Sequence, residues 1–211
     1  MTFFHTSGAV TEVGRAKAVR EVLENTVPDR DFYILVVGAA LLAASGILLD
    51  SIPVLIASMV VAPLMWPILG LSLGIISSDK KLIGHSLAML VVSILVGLAV
   101  AALGACIAIK YFNWNISGIF ISFSPNYFFD VFIALVSGAI AAYGLVRTKV
   151  GGAMTGIGIA VSLMPPLVAT GVGLVSSKIL SKAALTIFAL NVGGILLASA
   201  IVFGILKVRS R

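Results

Sequence analysis

The stretch Ala57–Ser78, ASMVVAPLMWPILGLSLGIISS, is apolar and of membrane-helix length, yet it carries two prolines, Pro63 and Pro67. At a constant offset of 99 residues the chain writes LMPPLVATGVGLVSS, Leu163–Ser177, so that Leu64, Met65, Pro67, Gly74, Ser77 and Ser78 recur as Leu163, Met164, Pro166, Gly173, Ser176 and Ser177. The same register, run backwards without a gap, adds Asp31/Asp130, Ile34/Ile133, Val37/Val136, Ala40/Ala139 and Ala43/Ala142. Eleven identities over the 48 positions Asp31–Ser78 exceed what compositional bias gives, and the chain reads as an internal duplication.

Composition agrees with a membrane setting. Of 211 residues, 60% are hydrophobic and 10% charged, and the mean hydropathy is +1.19. Soluble domains stand nearer 45–50% apolar and about 25% charged, so an ordinary soluble fold is excluded and an all-α integral membrane protein is expected. The net charge of +6 does not point to nucleic acid. Its lysines and arginines lie at the ends of apolar segments rather than in a basic stripe with interleaved aromatics. The single cysteine, Cys106, rules out an intrachain disulfide framework and holds no metal by itself.

Residues 1–30 lack the pattern of a cleaved signal peptide. Val10, Val13, Val19, Val22 and Leu23, with Lys17→Glu21 and Arg20→Glu24 four apart, predict an amphipathic helix over Ala9–Asn25. Six apolar segments follow, each able to cross roughly 30 Å of hydrocarbon: Phe32–Leu49, Pro53–Ile76, Leu82–Ile109, Tyr127–Val146, Ala153–Val175 and Ala183–Leu206. They divide the chain into an N-terminal helix (1–30), a first three-helix repeat (31–110), an aromatic-rich connection (111–129), and a second repeat with a basic tail (130–211).

Eleven lysines and arginines fall on one side: Arg15, Lys17, Arg20, Arg30, Lys80, Lys81, Arg147, Lys149, Lys207, Arg209 and Arg211. Lys110, Lys178 and Lys182 fall on the other. By the positive-inside rule both termini are cytoplasmic and the 111–129 connection faces outward. Three crossings is an odd number, so the second copy enters the bilayer upside down relative to the first. Inverted repeats are the plan of many secondary transporters, whose sites lie near the midplane where paired helices are interrupted.

The prolines carry the chemistry of such a site. Lacking an N–H, Pro63 and Pro67 release the carbonyls of Met59 and Pro63, and Pro165 and Pro166 release those of Val161 and Ser162. In hydrocarbon an unpaired carbonyl costs several kcal/mol and seeks protein, water or a ligand. Helices restarting near Leu64 and Met164 would add backbone N–H groups and positive dipole ends at mid-depth, suited to an anion or carboxylate. The alternative is a simple kink repacked by neighbours. Gly70/Gly74 and Gly152/Gly156 are spacings that favour close helix packing.

Few polar residues enter the slab. Asn191, deep in the sixth segment, requires a partner and joins Ser58, Ser162 and Thr170 as candidate pathway residues, with Met59 and the prolines. Asp31 and Asp130 open equivalent helices and are candidate gates, as is His85; each also suits an ordinary helix end. No Ser/His/Asp set, HExxH or Walker loop is present, so neither an enzyme nor a cofactor or metal site is expected.

The run Ser51–Leu87, SIPVLIASMVVAPLMWPILGLSLGIISSDKKLIGHSL, with its Ala57–Gly70 core and the charged turn Ser78–Leu82, resembles a prokaryotic family of uncharacterised hydrophobic domains, domain of unknown function 389. The resemblance covers about Phe32–Val175. It implies a multi-pass protein of a bacterial or archaeal inner membrane and supplies no substrate or catalytic residue. Taken together, the residues favour a transporter of a small solute or ion with a midplane site at Pro63–Pro67 and Ser162–Pro166, working as a homo-oligomer. The alternatives are a passive channel with its pore between subunits and a non-transporting anchor or sensor acting through a partner at the N-terminal helix.

Overall fold

The computed structural model describes residues 12–112, 126–147 and 152–210, and side chains throughout except for 152–162. Among the described residues eight helices follow in order: α1 Glu12–Asn25, α2 Arg30–Leu48, α3 Ile52–Val61, α4 Met65–Ser77, α5 Lys80–Phe112, α6 Tyr127–Val146, α7 Gly152–Ser176 and α8 Lys178–Ile205. No strand occurs among the described residues. Helices α2, α5, α6 and α8 are each long and apolar enough to cross a membrane, and the α3–α4 pair, bent by 46°, meets the same test when its two halves are taken together. The apolar part of α7 with described side chains is the shorter Leu163–Ser176.

Helices α2 and α5 bury runs of alanine and turn many large apolar residues outward. On α2 the buried face is Ala39, Ala40, Ala43 and Ala44, while Ile34, Leu35 and Leu41 point outward. On α5, Ala101, Ala105 and Ala108 are buried, and Leu95, Leu103 and Ile107 are exposed. Water would penalise such an outer surface, whereas lipid tails accept it, and small residues inside let helix backbones approach. The molecule is therefore a multi-pass membrane protein.

Seven of the eleven identical pairs related by the 99-residue offset share a burial environment, and Asp31/Asp130, Ala40/Ala139, Ser77/Ser176 and Ser78/Ser177 do not. Ile34/Ile133 and Val37/Val136 are exposed, and Ala43/Ala142, Leu64/Leu163 and Met65/Met164 are buried. Gly74 and Gly173 do the same work at the next turn: a Cβ on Gly74 would stand 2.8 Å from Ile83 Cγ1, and one on Gly173 2.5 Å from the backbone nitrogen of Ser181. Each glycine lets the following helix fold back tightly against its predecessor. Helix packing repeats as well, α2 on α3 as α6 on α7, α4 on α5 as α7 on α8, and α2 on α5 as α6 on α8.

Helix α1 departs from its expected face. Its ion pairs form as the spacing predicts, Lys17–Glu21 at 3.4 Å and Arg20–Glu24 at 2.6 Å. The buried stripe, however, is Gly14, Ala18 and Val22, while Val13 and Leu23 are exposed. Small residues four apart seat α1 against α4 and α6, and the bulkier valine and leucine are left outside. Of the 111–129 connection, residues 113–125 lie outside the described part; Tyr111, Phe112, Phe128 and Phe129 at its edges are exposed.

Candidate functional site

The interruption of the second apolar segment has a local cause. Helix α3 ends at Val61, and Ala62 turns extended at φ −67°, ψ 122°, the backbone region that a following proline enforces. Pro63 thus stops α3. The chain turns through Leu64 at φ −63°, ψ −15°, and α4 begins at Met65. Pro67 is then the third helical residue, where a missing N–H forfeits nothing because first-turn N–H groups have no helical acceptor. One proline ends a helix and the other is housed in the start of the next.

The expectation that Pro67 leaves the Pro63 carbonyl free is corrected here. The Trp66 N–H donates to the Pro63 carbonyl at 3.3 Å, and the Ala62 N–H to the Ser58 carbonyl at 3.1 Å. Pro63 has no N–H to offer the Met59 carbonyl. At the start of α4 the Leu64 and Met65 N–H groups precede the first helical hydrogen bond.

The fifth segment is not interrupted, which corrects the expectation of a second broken helix. Pro165 and Pro166 lie inside α7, which runs from Gly152 to Ser176. The offset explains why: Pro67 corresponds to Pro166, but the helix-ending Pro63 corresponds to Ser162, which has an N–H and imposes no extended conformation on its predecessor. The helix start expected near Met164 accordingly does not occur. Val161 and Ser162 are helical, and their side chains lie outside the described residues.

Both proline regions belong to one buried core containing Met59, Ala62, Leu64, Met65, Leu163, Met164 and Leu167, with α3 packed on α7 and α4 on α8. Ser58 is buried and donates to the Leu55 carbonyl at 2.6 Å. Thr170 donates to the Pro166 carbonyl at 2.7 Å. These hydroxyls bond their own helices. Asn191 is buried in α8. The break is thus surrounded by apolar side chains that are mostly buried.

The candidate gates do not converge with that core. Asp31 lies exposed in the first turn of α2, where Asp29 is the residue that caps, accepting from the Phe32 N–H at 2.7 Å. Asp130 is half-buried in the first turn of α6, and its Oδ2 is shielded without a hydrogen-bond partner. His85 is exposed on α5. Among the described residues no cluster of three His, Cys, Asp or Glu side chains has a metal-site arrangement.

One polar contact escaped the sequence reading. Ser72 of α4 and Ser199 of α8 are buried with their hydroxyl oxygens 2.6 Å apart. The Ile68 and Leu196 carbonyls, 3.0 and 3.2 Å from the Ser72 hydroxyl, compete for its one proton. The pair ties the half-helix beyond the break to α8. Residues 127 apart give no local signal of meeting.

Residues 59–197 match the family model described as Domain of unknown function (DUF389). The chain belongs to the DUF389 family. The match begins at Met59, just ahead of the α3–α4 break, and spans both proline regions of this DUF389 chain. The chain is also 28% identical over 194 residues to "Uncharacterized protein MJ0678" of Methanocaldococcus jannaschii, covering 89% of this chain and 59% of that protein. No solved structure matches.

Proposed function

We propose that this DUF389 chain moves a small solute or ion across a membrane at a site framed by the α3–α4 break and the Leu163–Pro166 turn of α7. The observation that carries the reading is the break itself. Helix interruptions at membrane depth are tolerated where they are buried in protein or line a cavity, and paired proline-bearing segments in two halves mark transporter sites. The burial shared by most of the repeat positions supports two like halves; three crossings in each, with α7 as the sixth, would thread them in opposite senses. The count of basic residues makes the α1 end cytoplasmic. In this reading the protein is not an enzyme and uses no cofactor.

The closed core makes the hinge the working part. Ala62–Leu64 is the short non-helical segment between α3 and α4, and swinging α3 about it would part Leu64 from the apolar side chains of α7. A thermal-stability screen of the detergent-purified chain against ions, carboxylates and small metabolites tests this, because a ligand that binds only the folded form raises apparent stability. At least one compound should raise the midpoint, and the shift should shrink in Pro63→Ala and in the double variant Pro67→Ala/Pro166→Ala. Undiminished shifts in both variants would remove the break from the site.

The dense apolar packing around the break favours one second reading, a passive pore between copies of the chain. Saturable uptake into proteoliposomes supports the carrier; unsaturated single-channel currents support the pore.

A further inference from the structure

The segment after α8 is built into the molecule. Lys207 holds a left-handed backbone at φ 54°, uncommon for a residue other than glycine. Its N–H donates to the Gly204 carbonyl at 3.1 Å, and the Val208 N–H to the Phe203 carbonyl at 2.9 Å, the paired bonds of a Schellman turn. Val208 is fully buried in the main core. The Ser210 N–H donates to Ser77 Oγ at 2.8 Å, and its hydroxyl to Asp79 Oδ2 at 3.3 Å. These anchors lay residues 207–210 back over the α4–α5 turn and hold Lys207 and Arg209 facing α1.

Between that segment and α1 lies a groove of about 720 Å³ whose lining includes Arg15, Val19, Arg20, Lys207, Arg209 and Ser210. Two carboxylates, Glu12 and Glu24, also border it, and Glu24 is engaged by Arg20 at 2.6 Å. Four cations against two carboxylates leave the groove with an excess of two positive charges. The Nε of Arg15 is shut off from solvent without a hydrogen-bond acceptor, and a buried donor left so is costly. A groove with surplus guanidinium and ammonium groups and an unsatisfied donor is chemically incomplete.

We propose that this groove binds a phosphate group, held by Arg15, Lys207 and Arg209. Guanidinium forks match phosphate oxygens in paired hydrogen bonds, and basic pockets at the ends of membrane helices receive anionic headgroups. The phosphate comes either from the headgroup of an anionic phospholipid or from a soluble phosphate compound. The site is separate from the α3–α4 break, shares no residue with it, and does not depend on the transport reading.

Native mass spectrometry of the full chain, offered equal amounts of phosphatidylglycerol and phosphatidylcholine, reads the lipid source. Titration with inorganic pyrophosphate in phosphatidylcholine nanodiscs reads the soluble one. The wild type and the charge-preserving variant Arg15→Lys/Lys207→Arg/Arg209→Lys should bind in at least one arm. The neutralised variant Arg15→Gln/Lys207→Gln/Arg209→Gln should bind at least about tenfold more weakly, as expected for losing a charge-assisted hydrogen bond. Neutralising Lys178 and Lys182, at the other end of α8, should change nothing. Preference for the anionic lipid alone assigns the headgroup, and binding of pyrophosphate assigns a soluble ligand. Failure to bind in either arm, or neutralised protein that binds like the wild type, overturns the proposal. If the triple variant does not elute as folded protein, the exposed Arg209→Gln carries the same comparison.

Discussion

Two regions that share one 99-residue sequence register behave differently at their prolines. The α3–α4 segment stops, turns through Ala62–Leu64 and restarts with a 46° bend, whereas α7 continues through Pro165 and Pro166. Both copies carry two prolines, so proline number does not decide the outcome. Spacing does. Pro63 and Pro67 are four apart, one ending a helix and the other fitting the first turn of the next. Pro165 and Pro166 are adjacent, and the position that would end a helix is Ser162. Two segments in one sequence register can thus keep similar helix packing while one is interrupted and the other runs on unbroken.

The sharpest way to break this comparison is to give α7 the missing proline. Ser162→Pro should destabilise the protein by about 3 kcal/mol or more, because it removes a helical hydrogen bond and clashes with the preceding turn; denaturation in detergent micelles reads this, and a stability equal to wild type would mean α7 is already broken. Next come the equivalent glycines. Gly173→Ala drives a Cβ into the Ser181 backbone, whereas Gly74→Ala first meets the flexible Ile83 side chain, so the former should lose about 1–3 kcal/mol and the latter less. Reversed order would contradict the packing of the two turns. Ser72→Ala should lose about 0.5–1.5 kcal/mol, at the low end because Ser199 keeps its bond to the Ile195 carbonyl at 2.7 Å. The smallest effect belongs to Pro67→Ala, which should stay within about 1 kcal/mol of wild type since no helical bond is forfeited there. A larger loss would place Pro67 elsewhere than in a first turn.

Much of the fold was legible because apolar length is a strong signal. Tyr127–Val146 has the observed bounds of α6, and the expected ends of α2, α5 and α8 lie within a few residues of those found, except that α8 begins five residues early, at Lys178. The repeat was readable from identities such as Leu64/Leu163 and Gly74/Gly173. Which proline pair breaks its helix was not read, because the inference rested on lost N–H groups, which both pairs share. The informative feature was the extended conformation forced on Ala62 by Pro63, with a serine at the matching place. The Ser72–Ser199 contact and the α1 groove were beyond reach, since each joins residues distant in the chain, and the groove unites residues near opposite ends of it. The α1 face was misjudged because hydrophobicity was weighed and size was not: Gly14 and Ala18 can approach α4 and α6 where Val13 cannot.

The most direct measurement is solid-state NMR of the uniformly ¹³C,¹⁵N-labelled protein in lipid bilayers, comparing the backbone chemical shifts of Ala62 and Val161, which occupy the same position in the two copies. The account predicts extended-type shifts for Ala62 and helical shifts for Val161. Helical shifts at both, or extended shifts at both, would contradict it.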